Sequence, residues 1–196
     1  NCRSALIVFL SCVVLNARGD DAERYWPQWR GPAANGVGPS ADPPESWSEK
    51  ENVRWKIKLP GSGHATPIVW GDRVFVTAAI PFGLKSKPVY SQVEGAHDNF
   101  PVTQKHRFVV MAIARRDGRV LWQTTVRETL PHEGGHFTGS LVSNSPVTDG
   151  RHVYAFFGSR GLYGLDFAGK IVWRKDLGVM ESRHAHGEGS SPALRG

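Results

Sequence analysis

Hydrophobic and polar positions alternate along two pairs of segments that resemble each other. Residues 65–79 and 144–158 each run from a small residue and a proline through strand residues and a Gly/Asp turn into an alternating apolar run. Residues 108–126 and 161–178 each hold a strand, a tight turn with a glycine, and a second strand containing a tryptophan. Alternation with period two between short turns is typical of β-hairpins. The pattern predicts two successive four-stranded antiparallel meanders.

The proline that opens each meander marks a longer repeat. Pro192 takes the place of Pro146 and Pro67, so a third unit begins at residues 190–196. Pro146 and Pro192 lie 46 positions apart, close to the roughly 40–50 residues of one β-propeller blade. The first unit is longer because it carries an insertion over residues 81–106.

This repeat predicts an all-β fold, a β-propeller of four-stranded antiparallel blades, about two of which are present. Many glycines and prolines among aromatic and β-branched runs favour the same fold class. The predicted divisions are a signal peptide at 1–18, a Pro/Gly/Trp-rich N-terminal arm at 19–52 and a partial propeller at 53–196. The propeller part comprises a ring-closing strand at 53–60, a blade at 65–126 with the insertion 81–106, a blade at 143–176, and the start of the next blade at 190–196.

The charge pattern narrows the class of partner. The net charge of +6 comes from lysines and arginines spread along the chain. A dispersed charge without a basic helix does not favour nucleic-acid binding. It fits an exported protein with a mildly basic surface.

The first residues have the pattern of a signal peptide. An apolar run over residues 5–15 follows Arg3 and precedes the small residue Ala17. The run is shorter than the roughly 20 residues of a membrane-spanning helix, so no transmembrane span is expected once the leader is removed. Both cysteines, Cys2 and Cys12, lie in this leader, and lipid attachment at Cys12 is the less favoured alternative. The mature chain would therefore be periplasmic or extracellular, and the missing initial methionine indicates a fragment.

Tryptophans recur near the start of each predicted outer strand. An indole at that point can stack over the neighbouring sheet and bury on the order of 200 Å². We therefore expect structural docking between blades, rather than a ligand cage, for Trp55, Trp122 and Trp173.

The stretches AIARRDGRVLW (112–122) and GLDFAGKIVW (164–173), with WPQWRGP (26–32), resemble the tryptophan-docking repeats of PQQ-like propellers. The chain is also similar to the propeller lipoprotein of the outer-membrane assembly machinery, and the resemblance covers nearly all of 25–196. It implies a ring of roughly seven or eight blades. Members that oxidise alcohols or sugars hold pyrroloquinoline quinone with calcium on the ring axis. Several have a vicinal cysteine pair there, which the mature chain lacks.

The string His132-Glu133-Gly134-Gly135-His136 spells a zinc-protease signature. That motif binds zinc only on a helix, where both histidines face one side. Each of the two glycines is about 1 kcal/mol worse than alanine in a helix interior, and Pro131 precedes them. The sequence therefore predicts a loop and no metalloprotease.

Histidines recur on the three loops that connect predicted units, at 59–64, 127–142 and 177–189. Such loops share one face of a propeller, so their side chains should form one rim. Imidazoles and a carboxylate there could bind a divalent metal or an anionic ligand, although simple loop hydrogen bonding is favoured and no metal ligand is assigned. The predicted rim comprises His64, His132, His136, His184, His186 and Glu188.

The sequence gives no indication of a function for the remaining histidines. His97 and His106 lie in the insertion, and His152 follows a turn. The insertion itself is either a flap over one face or decoration, and decoration is favoured.

Two functions from different classes remain. The first is an exported, non-catalytic binding or scaffold module that presents its loops to an envelope protein, a glycan or a small molecule. The alternative is a pyrroloquinoline-quinone-dependent alcohol or sugar oxidoreductase, which rests on family resemblance alone. A metal-dependent hydrolase on the histidine rim is a third hypothesis. No catalytic residue is assigned, and no cofactor is firm.

Overall fold

The computed structural model of the protein describes residues 22–194. The predicted signal peptide at 1–18, with Cys2 and Cys12, lies outside the described residues, as do the last two positions of the segment 190–196.

The first sheet has four antiparallel strands in the order β1-β2-β4-β5. They are β1 (Ile68–Trp70), β2 (Arg73–Phe82), β4 (Lys105–Ala114) and β5 (Val120–Thr129). The insertion between β2 and β4 contains the two-residue strand β3 (Asn99–Phe100). β2 and β4 pair along ten residues each, from Arg73 opposite Ala114 to Phe82 opposite Lys105, so the insertion extends from the end of a long, rigid ribbon.

The second sheet has the same strand order without an insertion. Its four antiparallel strands are β7 (Val147–Thr148), β8 (His152–Phe156), β9 (Leu162–Asp166) and β10 (Ile171–Lys175). The short strand β6 (Gly135–His136) precedes it and pairs with β3 instead. The prediction of an all-β fold with four-stranded antiparallel blades is confirmed: the described residues contain two blades of a β-propeller.

The core lies between the two sheets, and β4 explains why. Phe108, Val110 and Ala112 lie in the cluster that includes residues of β8 and β9, whereas Val109 and Met111 lie in a separate cluster on the opposite face. Since side chains alternate across a strand, a strand buried on both faces shows a continuous apolar run. The sequence FVVMAI in β4 is such a run, and all six residues are buried.

Hydroxyl side chains connect the inner strands of successive units. The backbone N–H of Thr66 donates to Ser145 Oγ over 2.9 Å, and the N–H of Ser145 donates to Ser191 Oγ over 2.9 Å. Each of these residues precedes the proline that opens its unit. The third unit is thus in contact with the second at its first residues.

Two tryptophans lie against the turns of neighbouring units in the same way. Trp122 Nε1 donates to the Phe167 carbonyl over 2.9 Å, and Trp55 Nε1 donates to the Arg115 carbonyl over 2.9 Å. Both carbonyls belong to the first residue after the inner strand of a hairpin. Trp173 instead lies over its own sheet and is 41% exposed.

The segment before the first blade carries no strand among the described residues at positions 53–59. Leu59 nevertheless packs on the outer face of β4, beside Val109 and Met111. The ring-closing pairing predicted for residues 53–60 stays a prediction. Earlier still, Trp26 forms an isolated antiparallel bridge with Val69 of β1, so the N-terminal arm crosses the inner edge of the first blade.

No helix long and apolar enough to cross a membrane is found within residues 22–194.

Candidate binding surface

Three segments form one continuous surface at one end of the two blades: the insertion 83–104, the loop 130–146 and the loop 176–191. We call this the loop surface. β3 and β6 pair with Asn99 opposite His136 and Phe100 opposite Gly135. The N–H of Phe137 donates to the Asp98 carbonyl over 2.9 Å, which extends this ladder. The insertion therefore packs against the blade-connecting loop, and whether it acts as a flap or as decoration stays a prediction.

The H-E-x-x-H string runs through this ladder without forming a helix. Residues 131–134 are irregular, and Gly135 and His136 form β6. A Cβ on Gly134 would lie 1.9 Å from the Phe100 carbonyl oxygen. The first glycine is therefore required by the close approach of two backbones, which is the opposite of a helical role.

The first two residues of the string, the exposed His132 and the buried Glu133, belong to a group that we call the carboxylate cluster. It consists of Glu133, Glu188, Arg160 and His132. Glu133 is only 4% exposed, and its Oε1 accepts hydrogen bonds from the hydroxyl of Ser182 over 2.8 Å and from the Ser182 N–H over 3.3 Å. Glu133 thus ties the loop 130–146 to the loop 176–191.

Glu188 completes the cluster from the second loop. Its Oε1 lies 3.2 Å from Arg160 Nη1 and accepts a 2.6 Å hydrogen bond from the Ser159 hydroxyl. The N–H of Ser159 donates to the other carboxylate oxygen. Gly158 is required beside it because a Cβ there would overlap the carboxylate. The short 3-10 turn Gly158–Arg160 is therefore shaped around Glu188.

Arg160 provides the positive charge of the cluster. It is 6% exposed, and its guanidinium also lies 5.5 Å from the centre of the Phe108 ring. Burial lowers the pKa of Arg160 below its ordinary value, while the carboxylates of Glu188 and Glu133 act in the opposite direction. Its Nε and Nη2 have no hydrogen-bond partner within the described residues. Two buried carboxylates compensate one buried cation.

His132, Glu133 and Glu188 present potential ligand atoms within 4.8 Å of one another. However, His132 Nε2 lies 2.9 Å from the Met180 carbonyl. A carbonyl only accepts, so Nε2 carries the hydrogen and has no lone pair for a metal. Arg160 already occupies the cation position beside Glu188. The arrangement is that of a structural ion network that holds two loops together.

The last residue of the string, His136, is half-buried and belongs to a second group, which we call the histidine cluster. His136 lies beside His186, with ring centroids 4.9 Å apart. His186 also lies 4.8 Å from His97 and 5.7 Å from His184, and His97 lies 5.1 Å from His184. Four imidazoles from the insertion, β6 and the loop 176–191 thus meet on the loop surface.

The structure divides the predicted rim into three places. His136, His184 and His186 lie together, and His132 lies with Glu188 in the carboxylate cluster. His64 lies apart from both, at the inner edge of the blades in a pocket shared with Trp29 and four serines. Its backbone N–H donates to the Val142 carbonyl over 2.8 Å.

Sequence reasoning missed His97, the insertion's contribution to the cluster. The signal available was the stretch GAHDN, in which Asp98 takes a left-handed φ of 49° beside the histidine. The insertion has no counterpart in the second unit, so the repeat gave it no position. The two-residue strand β3 is too short to show a pattern.

These features define a repeat propeller whose blades are joined by docking tryptophans and whose loops carry a composite surface. Residues 106–189 match the family described as outer membrane protein assembly factor BamB, a family of PQQ-type repeats. This part of the chain carries PQQ-like repeats, which confirms the resemblance. No match was found among curated proteins.

Proposed function

We propose that the protein is an exported PQQ-like β-propeller that binds a protein partner of the cell envelope through its loop surface. One observation carries this proposal: large apolar side chains are exposed on the loop surface. Leu84 is 96% exposed, Phe137 65% and Tyr90 55%. Apolar side chains exposed together on a surface are typical of protein interaction sites, and loops on a rigid scaffold commonly carry them.

The loop surface also has the shape of an interaction site. Tyr90 lines two adjacent grooves, one with His132 and Glu181 and the other with His97 and Phe137. Aromatic anchors beside grooves are characteristic of interface hot spots. The description of the matched family as an outer membrane protein assembly factor favours a protein partner in the envelope over a glycan.

Site-specific photo-crosslinking tests the partner. A photoreactive amino acid replaces Tyr90 in one variant and Arg116 in the control. Arg116 is also exposed but lies in the turn between β4 and β5, outside the loop surface. We expect a discrete adduct with an envelope protein from position 90 and none from position 116. Equal labelling at both positions, or none at position 90, would contradict the proposal.

Export is tested separately with a reporter that is active only outside the cytoplasm. Alkaline phosphatase fused after residue 194 should be active when residues 1–18 are present and inactive when they are deleted. Activity that is independent of these residues would show that they are not the export signal.

The quinone alternative has less support from the described residues. The pocket at the inner edge is lined by hydroxyl side chains such as Thr66, Ser145 and Ser191, with His64 and Trp29. Pyrroloquinoline quinone carries several carboxylates and needs cationic partners, which this lining does not supply. This pocket therefore gives the quinone alternative no support. Dye-linked alcohol oxidation after incubation with the quinone and calcium would revive the alternative.

A further inference from the structure

We propose that His97, His184 and His186 form a binding site for one divalent transition-metal ion, of the chemistry shared by Zn²⁺ and Cu²⁺. The site lies on the loop surface, but it does not depend on the proposed partner, and it is tested without one.

The spacing of the three rings suits a common metal. Their centroids are 5.1, 4.8 and 5.7 Å apart. When imidazole nitrogens lie about 2.0–2.1 Å from a tetrahedral zinc ion, the ring centroids come roughly 5 Å apart. In the structure the nitrogens of the three rings do not all lie within 4.8 Å of one another. The side chains therefore have to rotate before each ring can place a nitrogen on one ion, and a fourth coordination position then stays open.

Hydrogen bonding leaves the ligand atoms of two rings available. His97 Nδ1 lies 2.8 Å from the Gly95 carbonyl, and His184 Nδ1 lies 3.0 Å from the same oxygen. Because a carbonyl only accepts, both Nδ1 atoms carry the hydrogen, and in the neutral ring Nε2 has the free lone pair. An Nδ1–H bonded to a backbone carbonyl is the usual support of a metal-binding histidine. Because both Nδ1 atoms converge on one oxygen, the two Nε2 atoms point apart, and one of the two rings has to release Gly95 to share an ion with the other.

The hydrogen bonds of His136 distinguish it from the three proposed ligands. The N–H of Thr138 donates to His136 Nδ1 over 3.3 Å. That nitrogen therefore accepts, and the hydrogen of the neutral ring lies on Nε2. His136 is a neighbour that packs against His186, with its ring 4.9 Å away, and we expect it to position His186 instead of binding the ion.

The backbone holds the rings in place against local preference. His184 and Ala185 have φ values of 59° and 56°, in the left-handed region that favours glycine. The conformation is maintained because Ala185 is fully buried and its N–H donates to the Ser182 carbonyl over 3.0 Å. Ser182 is fixed in turn by Glu133. Two histidines two positions apart are thus presented to His97 by a fixed turn.

The ligand type sets the class of ion. Three imidazoles without a carboxylate suit zinc, copper or nickel, and they do not suit calcium or magnesium, which take oxygen ligands. All three rings are at least partly exposed, so an ion can enter directly from solvent.

Titration calorimetry with zinc chloride, and separately with copper chloride, tests the site on purified protein without an affinity tag. We expect one ion per chain, with affinity reduced more than roughly 100-fold by His97→Ala, His184→Ala or His186→Ala. His152→Ala is the matched control, because His152 lies on β8 outside the cluster, and it should bind as the unmodified protein does. Absence of binding, or an equal loss in the control, would overturn the proposal.

Electron paramagnetic resonance of the copper-loaded unmodified protein gives a second readout that does not depend on any variant folding. Hyperfine coupling to three imidazole nitrogens is the expected result. Coupling to fewer than three would overturn the proposed ligand set, even if the alanine variants were to lose binding by unfolding.

Discussion

The carboxylate cluster and the histidine cluster both take residues from the loops 130–146 and 176–191, yet they differ in the burial and in the pairing of their ionisable side chains. Glu133 and His136 are three positions apart, and His186 and Glu188 are two positions apart. The carboxylates are buried and fully paired with Arg160 and serine donors. The histidine rings are partly or fully exposed, and two of them direct an unprotonated nitrogen away from their backbone support.

This difference separates a structural role from a binding role within the single H-E-x-x-H string. Burial of a charge is tolerated only when partners compensate it. The bonds from Arg160 and Ser159 to Glu188, and from Ser182 to Glu133, therefore stabilise the loops. Lone pairs that remain available on an accessible, rigid surface can act on a ligand. The carboxylate cluster therefore fixes the loops on which the histidine cluster depends.

The largest effect on stability is expected from breaking the carboxylate cluster. Glu188→Ala leaves Arg160 buried without its nearest counter-charge, which should lower the free energy of unfolding by about 3–5 kcal/mol. Urea unfolding measures the change, and Glu181→Ala on the exposed part of the same loop is the control. In the double variant with Arg160→Met, the loss should be smaller than the sum of the single losses. Full additivity would show that the two residues are independent.

A smaller effect is expected from the contact that joins the insertion to the loop. Gly134→Ala places a Cβ 1.9 Å from the Phe100 carbonyl oxygen, and we expect a loss of about 1–3 kcal/mol in unfolding free energy. Zinc affinity should fall as well, because β3 carries the connection to His97. Gly189→Ala is the matched control, since nothing lies within 4 Å of its Cβ position. Unchanged stability and affinity in Gly134→Ala would contradict this role of the ladder.

The smallest effect on stability is expected from a change that is confined to the histidine cluster. A Cβ on Gly95 would lie 2.9 Å from His184 Nδ1, and Gly95 has a φ of 73°. Gly95→Ala should therefore displace the carbonyl that orients His97 and His184, weakening zinc binding roughly 10-fold or more. Calorimetry measures the affinity, and urea unfolding should show a change of no more than about 1 kcal/mol. A large loss of stability with unchanged zinc affinity would show that Gly95 supports the fold and not the orientation of His97 and His184.

The scaffold could be predicted from the sequence because each strand leaves a pattern. Pro67, Pro146 and Pro192 mark equivalent positions, and the continuous apolar run of β4 indicates a strand buried on both faces. The glycines at 134 and 135 correctly excluded a helix. These are local signals, set by backbone geometry and by period-two burial.

The division of the rim could not be predicted, because it depends on side-chain direction within irregular loops. Nothing local distinguishes His132, which faces Glu188, from His136, which faces His186. His97 joins the cluster through the pairing of β3 with β6 and through the bonds of Phe137 and His184 to the insertion, all of them contacts between segments more than 30 positions apart. Such contacts follow from tertiary packing and leave no periodic pattern.

One measurement tests the difference between the two clusters most directly. Crystals of the purified protein, soaked in zinc and measured on both sides of the zinc absorption edge, should show a single anomalous peak among His97, His184 and His186, with none at Glu133 and Glu188. A peak between the two carboxylates, or no bound zinc in the histidine cluster, would contradict the account.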